Sequence, residues 1–119
     1  MRLNSVNQFS MEKTSDKLIA KLNSKDAVIG VLGMGYVGLP LMLRYADIGY
    51  NVVGFDIDQD KVDQVLSGKS YIEHISATDI SSCVEKGMDA TTDFTRIRDV
   101  DAIIFDANGD KKNDIYVVS

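Results

Sequence analysis

Three glycines at G-x-G-x-x-G spacing, Gly33, Gly35 and Gly38, stand directly behind a short apolar run and open a helical pattern. The spacing suits the capture of a phosphate anion. Gly33 permits a tight turn out of a strand. Gly35 lacks a Cβ, so the backbone can approach a pyrophosphate, and Gly38 lets the next helix pack closely on the sheet. The N–H groups of Tyr36, Val37 and Gly38 at the helix start then meet the anion, helped by the helix dipole. Asp56 lies 18 residues beyond Gly38, close to the roughly 20 at which an acid meets a dinucleotide ribose. A carboxylate there accepts from both ribose hydroxyls and repels a 2′-phosphate, so the pattern expects NAD rather than NADP. The bare motif is weak. Its context (strand before, helix within, acid closing the next strand) gives it weight over a glycine-rich turn that binds nothing.

A second group of oxygen side chains lies near the end. Asp106, Asn108, Asp110 and Asp114 take positions 1, 3, 5 and 9 of a loop, with Gly109 where the chain must turn. Hard oxygens at that alternation suit Ca²⁺, although the loop lacks the glycine and glutamate that an EF-hand places at set positions. Lys111-Lys112 lowers its negative charge, and a solvated acidic turn without metal is the plainer reading. Cys83 falls on the apolar face of a helical stretch and reads as a small buried hydrophobe. His74, the single histidine, reads as a loop residue. Asp58 and Lys61 either touch the adenosine side of NAD or serve as a helix cap and a surface lysine.

The elements that must position these residues alternate. Ala27–Leu32 is apolar on both faces, as a central parallel strand is. Val37, Leu41, Tyr45 and Ile48 keep helical spacing, with Leu39, Met42 and Ala46 widening the stripe until Gly49 stops it. Asn51–Asp56 is a second strand. Asp58 caps a helix with Val62, Val65 and Leu66 as its buried stripe and Gly68 as its stop. Ser76 caps a third helix, with Ile80, Cys83 and Val84 on one face and Gly87 at the end. Ala90–Thr92 and Val100–Phe105 are further strands. This β-α-β-α-α-β-β order predicts an α/β, Rossmann-type parallel sheet with helices on both faces, truncated, in strand order 3-2-1-4. Ile115–Val118 follows the fourth strand too closely for a parallel crossover, so it must pair antiparallel or hang free.

Composition narrows the classes. The chain has 119 residues, 45% hydrophobic and 26% charged, which fits one soluble globular domain rather than a disordered segment. One cysteine excludes a disulfide scaffold. No stretch reaches the roughly 20 apolar residues of a membrane span, and the N-terminus has no apolar signal core, so a cytoplasmic location is expected. A net charge of −5 argues against a nucleic-acid partner.

The run Gly30-Val31-Leu32-Gly33-Met34-Gly35-Tyr36-Val37-Gly38-Leu39-Pro40-Leu41 resembles the opening of the UDP-glucose/GDP-mannose dehydrogenase family. Gly54-Phe55-Asp56-Ile57-Asp58 with Lys61-Val62 fits that family's second strand and helix start. Ser70–Ile75 and Ala90–Phe94 look more narrowly like its UDP-N-acetylglucosamine 6-dehydrogenase branch. The resemblance implies an NAD-dependent oxidation of a nucleotide sugar's 6-hydroxymethyl to a carboxylate. It also implies an essential cysteine, a lysine, an asparagine and acids in segments beyond these residues, so no catalytic residue is assigned here and no turnover is expected of this chain alone. Cys83 matches no such motif. Past Phe105 the family's cysteine-valine-proline-threonine-proline turn is replaced, and Asp106–Val118 resembles the calcium loop of FG-GAP or VCBS repeats. The expected division is therefore a leader helix or flexible N-terminus over 1–25, an NAD-binding half-domain over 26–105 and a foreign acidic loop with a short strand over 106–119. Partners on this reading are a nucleotide sugar, once the missing domains are present, and potentially a second copy in a homo-oligomer. A stand-alone dinucleotide-binding module and a fragment of a 6-phosphogluconate-like dehydrogenase remain alternatives.

Overall fold

The computed structural model describes residues 23–105 with their side chains and the backbone of 114–117. The leader segment, apart from residues 23–25, and the loop residues 106–113 lie outside the described residues, so the leader-helix and calcium-loop expectations are not addressed by it. Strand β1 (Val28–Leu32) leads through the glycine loop into helix α1 (Gly38–Ile48) and strand β2 (Asn51–Phe55). Helices α2 (Gln59–Leu66) and α3 (Ala77–Glu85) come next, then β3 (Asp89–Thr91), a 3₁₀ turn (Phe94–Asp99), β4 (Ala102–Phe105) and β5 (Asp114–Val117). The sheet order is β3-β2-β1-β4-β5. The first four strands are parallel, and β5 runs antiparallel to β4, with Phe105 opposite Asp114 and Ala102 opposite Val117.

The chain punctuation acts as its residue types require. Gly49, Gly68 and Gly87 end the three helices at positive φ (121°, 72° and 110°). The Asp58 carboxylate accepts from the Asp60 N–H at 3.0 Å, and the Ser76 hydroxyl from the Asp79 N–H at 3.1 Å, each satisfying a donor that a helix start leaves open. Strand β4 begins two residues later than its apolar run, because Val100 closes the 3₁₀ turn. Asp101 then locks the sheet's register. Its Oδ2 accepts from the Val28 N–H at 2.9 Å while its own N–H donates to the Val28 carbonyl at 2.8 Å.

Side chains alternate across the sheet. Ile29, Val31, Val52 and Ile104 face the main core with Leu39, Met42, Val62, Val65, Ile80 and Cys83, residues of all three helices. Val53, Phe55 and Val100 form a thinner second cluster with Ile97 on the opposite face. Helices therefore lie on both faces, as expected: among the described residues the three α-helices cover one face and the 3₁₀ helix packs on the other. Right-handed crossovers from β1 to β2 to β3 run in one direction and put their helices on one side. Only the return from β3 to β4 passes the other side, and it is too short for an α-helix with its turns.

Two stripe assignments also shift. The buried line of α1 is Gly38, Leu39, Met42 and Ala46, while Ile48 is 48% exposed. Gly38 must lie against the glycine loop, which turns 42 and 46 inward with it and moves 37, 41, 45 and 48 to the flank. Leu66, in the last turn of α2, is likewise exposed.

Candidate functional site

The carboxyl ends of the parallel strands place the glycine loop, Asp56 and the Thr91-Thr92 end of β3 on one rim. The loop is tied to its neighbour at once, since the Gly33 N–H donates to the Phe55 carbonyl at 2.7 Å. Gly33 has φ +90°, a conformation that favours glycine. A Cβ on Gly38 would stand 1.7 Å from the Gly33 carbonyl oxygen, so helix α1 starts in contact with the loop's own backbone and only glycine fits. A Cβ on Gly35 would meet nothing within 4 Å; that side of the loop is open.

Met34 anchors the loop between these glycines. Its side chain is fully buried, its N–H donates to Asp56 Oδ2 at 2.8 Å, and its carbonyl accepts from the Tyr71 hydroxyl at 2.5 Å. The other Asp56 oxygen accepts from the Asp58 N–H at 2.9 Å. Each carboxylate oxygen keeps a further lone-pair position, so Asp56 holds the loop and can still accept hydroxyl donors. The N–H groups of Tyr36, Val37 and Gly38 have no hydrogen-bond acceptor among the described residues. Tyr36 itself projects outward, 76% exposed.

A cleft of about 360 Å³ opens beside the loop, bounded by Gly35 and Tyr36, by Asp58, Lys61 and Gln64 of the α2 start, and by Tyr71. The Lys61 ammonium lies 5.8 Å from the centre of the Tyr71 ring, a cation–π distance. Burial first, and then the Asp56 and Asp58 carboxylates, push the Tyr71 phenol up to about 12. It therefore remains a donor across the ordinary pH range.

The structure thus brings together all six residues read as cofactor-binding, and adds Met34 and Tyr71. Tyr71 gave no local signal, because its partner lies 37 residues earlier. His74 is exposed in the turn that precedes α3. Cys83 is buried, with its thiol pushed up by that burial and donating to the Leu43 carbonyl at 3.8 Å. No group of three or more His, Cys, Asp or Glu side chains suited to a metal occurs among the described residues. Asp106, Asn108 and Asp110 lie outside them, and only the backbone of Asp114 is described. No helix among them is long and apolar enough to cross a membrane.

The model of the UDP-glucose/GDP-mannose dehydrogenase family, NAD binding domain, matches residues 27–115. The chain belongs to this family. The match runs past Phe105 into the acidic segment. UDP-N-acetyl-D-mannosamine dehydrogenase from Pyrococcus horikoshii is 46% identical over 44 residues, 37% of this chain and 10% of that protein. UDP-glucose 6-dehydrogenase from Haloferax volcanii is 32% identical over 75 residues, 62% of this chain and 17% of that protein. Among solved structures, UDP-D-ManNAc dehydrogenase from Pyrococcus horikoshii superposes with a TM-score of 0.62 at 30% identity, covering 66% of this chain and 19% of its own. GDP-mannose dehydrogenase from Pseudomonas aeruginosa gives 0.60 at 26% identity, covering 72% and 21%. The chain therefore spans less than a quarter of these relatives' lengths and corresponds to the NAD-binding part of such dehydrogenases.

Proposed function

We propose that this chain supplies the NAD-binding part of a nucleotide-sugar 6-dehydrogenase, with Gly33, Gly35, Tyr36, Val37, Gly38 and Asp56 as the cofactor-binding residues. The observation that carries this is the anchored glycine loop. It leads into a helix whose first N–H groups are unsatisfied among the described residues, while Asp56 closes the neighbouring strand beside it. In this arrangement the N–H groups of Tyr36, Val37 and Gly38 hold the pyrophosphate. The open side of Gly35 admits it, and Asp56 accepts from the adenosine ribose. Lys61 and Asp58 border the adenosine side. The bound nicotinamide cofactor would supply the hydride acceptor, and the residues named here bind and orient it.

The sugar is read as a UDP-linked hexose or N-acetylhexosamine, supported by the relatives' names and by Ser70–Ile75 and Ala90–Phe94. The functional domain is read as residues 26–105, with 106–119 as an appended acidic loop and strand. Calcium at Asp106, Asn108, Asp110 and Asp114 is supported by the side-chain alternation alone, and binding there would be millimolar or weaker, since one loop must supply its own ordering entropy. A cytoplasmic setting belongs to the same reading.

The test is titration of the ¹⁵N-labelled chain with NAD and NADP. NAD should shift the amides of residues 33–38 and saturate, with NADP at least about tenfold weaker through repulsion at Asp56. Equal affinity for the two, or NAD shifts confined to other residues, would refute the assignment.

A further inference from the structure

Met34 is held through both of its peptides, its N–H in the Gly33–Met34 peptide and its carbonyl in the Met34–Gly35 peptide. Asp56 accepts from the N–H of Met34, and Tyr71 donates to the carbonyl. The described chain has no cis peptide, so the Met34 carbonyl and the Gly35 N–H point in opposite directions within one plane. Holding the carbonyl against the phenol therefore holds the Gly35 N–H away from it. It also bars the peptide flip that would turn a carbonyl oxygen toward an incoming anion. The phenol is itself fixed. The neighbouring Ser70 hydroxyl donates to the Ile72 carbonyl at 2.9 Å and accepts from the Ile72 N–H at 3.2 Å. Ile72 is buried in the main core, and the Lys61 ammonium lies over the Tyr71 ring.

We propose that Tyr71 is a positioning residue for the pyrophosphate of the dinucleotide: its hydroxyl fixes the orientation of the Met34–Gly35 peptide, so that the loop presents N–H groups and not a carbonyl to the anion. This rests on the dinucleotide reading above. It assigns to the α2–α3 connection a part in cofactor binding at a distance from the G-x-G-x-x-G motif. The residue acts through the loop backbone, and its contribution should be confined to ligands that carry the pyrophosphate.

Tyr71→Phe keeps the ring and its Lys61 contact and removes only the hydroxyl. In the ligand-free ¹⁵N spectrum of the 119-residue chain, the Met34 and Gly35 amides should move while those of α3 stay in place. NAD and ADP should weaken alike, by about two- to tenfold, the range spanned by one lost neutral hydrogen bond. Adenosine, which has no phosphate, should bind the variant as it binds the parent. Unmoved Met34 and Gly35 amides, or unchanged NAD and ADP affinities, would overturn the proposal. So would a loss shared equally by adenosine, or a lower melting temperature with no ADP-against-adenosine split, since either shows a merely structural tyrosine. Failure of the parent chain to bind NAD would remove the dinucleotide reading and the ligand role with it. The free-state amides would then separately show whether Tyr71 holds the peptide.

Discussion

Alanine at each of the three loop glycines separates folding from binding. At Gly38 the new methyl would lie 1.7 Å from the Gly33 carbonyl oxygen and 2.9 Å from its carbon. One backbone must retreat by at least about 1.7 Å to restore an ordinary contact. Neither group is a side-chain end that can rotate away, so the cost belongs at the upper end of overpacking, about 3 kcal/mol. Alanine recovers up to about 1 kcal/mol of helix propensity, leaving about 2 kcal/mol of destabilisation. For a domain of this size that is roughly 8–16 °C in melting temperature. At Gly33 the obstacle is the positive φ, and about 1–2 kcal/mol is expected. At Gly35 neither obstacle exists, so stability should stay within about 0.5 kcal/mol. Its methyl, however, stands on the open side of the loop and should weaken NAD by at least about tenfold, or ~1.4 kcal/mol. Thermal unfolding and NAD titration of the three variants check the pattern. Gly35→Ala melting as low as Gly38→Ala, or binding NAD like the parent, would refute the reasoning.

Three further outcomes follow from the same geometry. Asp56→Ala should lower both stability and NAD affinity, because it leaves the Met34 and Asp58 N–H groups without their acceptor. The unmade bonds are worth about 1–3 kcal/mol each where buried and less where exposed, and unchanged unfolding in urea would show that Asp56 does not hold the loop. Tyr71 keeps its proton more tightly folded than unfolded, its phenol standing at about 12 against 10.0. Its contribution is therefore complete below pH 10 and lost as pH rises toward 12. The stability difference between the parent and Tyr71→Phe should shrink over that window in urea unfolding, and a difference that grows would contradict the assignment. Calcium should shift the amides of residues 106–118 only at millimolar concentration; saturation at micromolar calcium would reveal a preformed site and overturn the weak-binding reading.

Much of this architecture is legible in residue types, because local rules govern it. The glycines that stop helices need positive φ, Asp58 and Ser76 cap where an oxygen must meet open N–H groups, and strands apolar on both faces mark the sheet's interior. Loop length rules out a parallel β5 and leaves antiparallel pairing or a free tail, of which the structure has the antiparallel pairing. What was not legible depends on contacts between distant segments. Nothing near Tyr71 announces a bond to Met34, and nothing in the stripe of α1 says that Gly38 sets its rotation. The 3₁₀ turn escaped because Phe94–Asp99 lacks the length for a helical period. Its start carried a signal nonetheless, since the Asp93 carboxylate accepts from the Thr95 N–H and hydroxyl.

The register lock between Val28 and Asp101 bears on the order in which the chain assembles. The sheet's central strand is also its earliest, and the partner on its β4 side comes 73 residues later. The β4–β5 pairing, by contrast, spans only a short loop, and hairpins close in about 1–10 μs. Each half can therefore organise locally: β1, α1 and β2 as one piece, β4 and β5 as another. The slow event is then their docking, delayed by the entropy of closing the long intervening loop. With β5 already on its outer side, β4 reaches β1 with one free edge. The two Val28–Asp101 hydrogen bonds then select one alignment from those that a four-residue strand could slide through. Asp101→Ala should slow folding as well as destabilise the fold, because the side-chain bond it removes is one of the two that recognise the correct encounter.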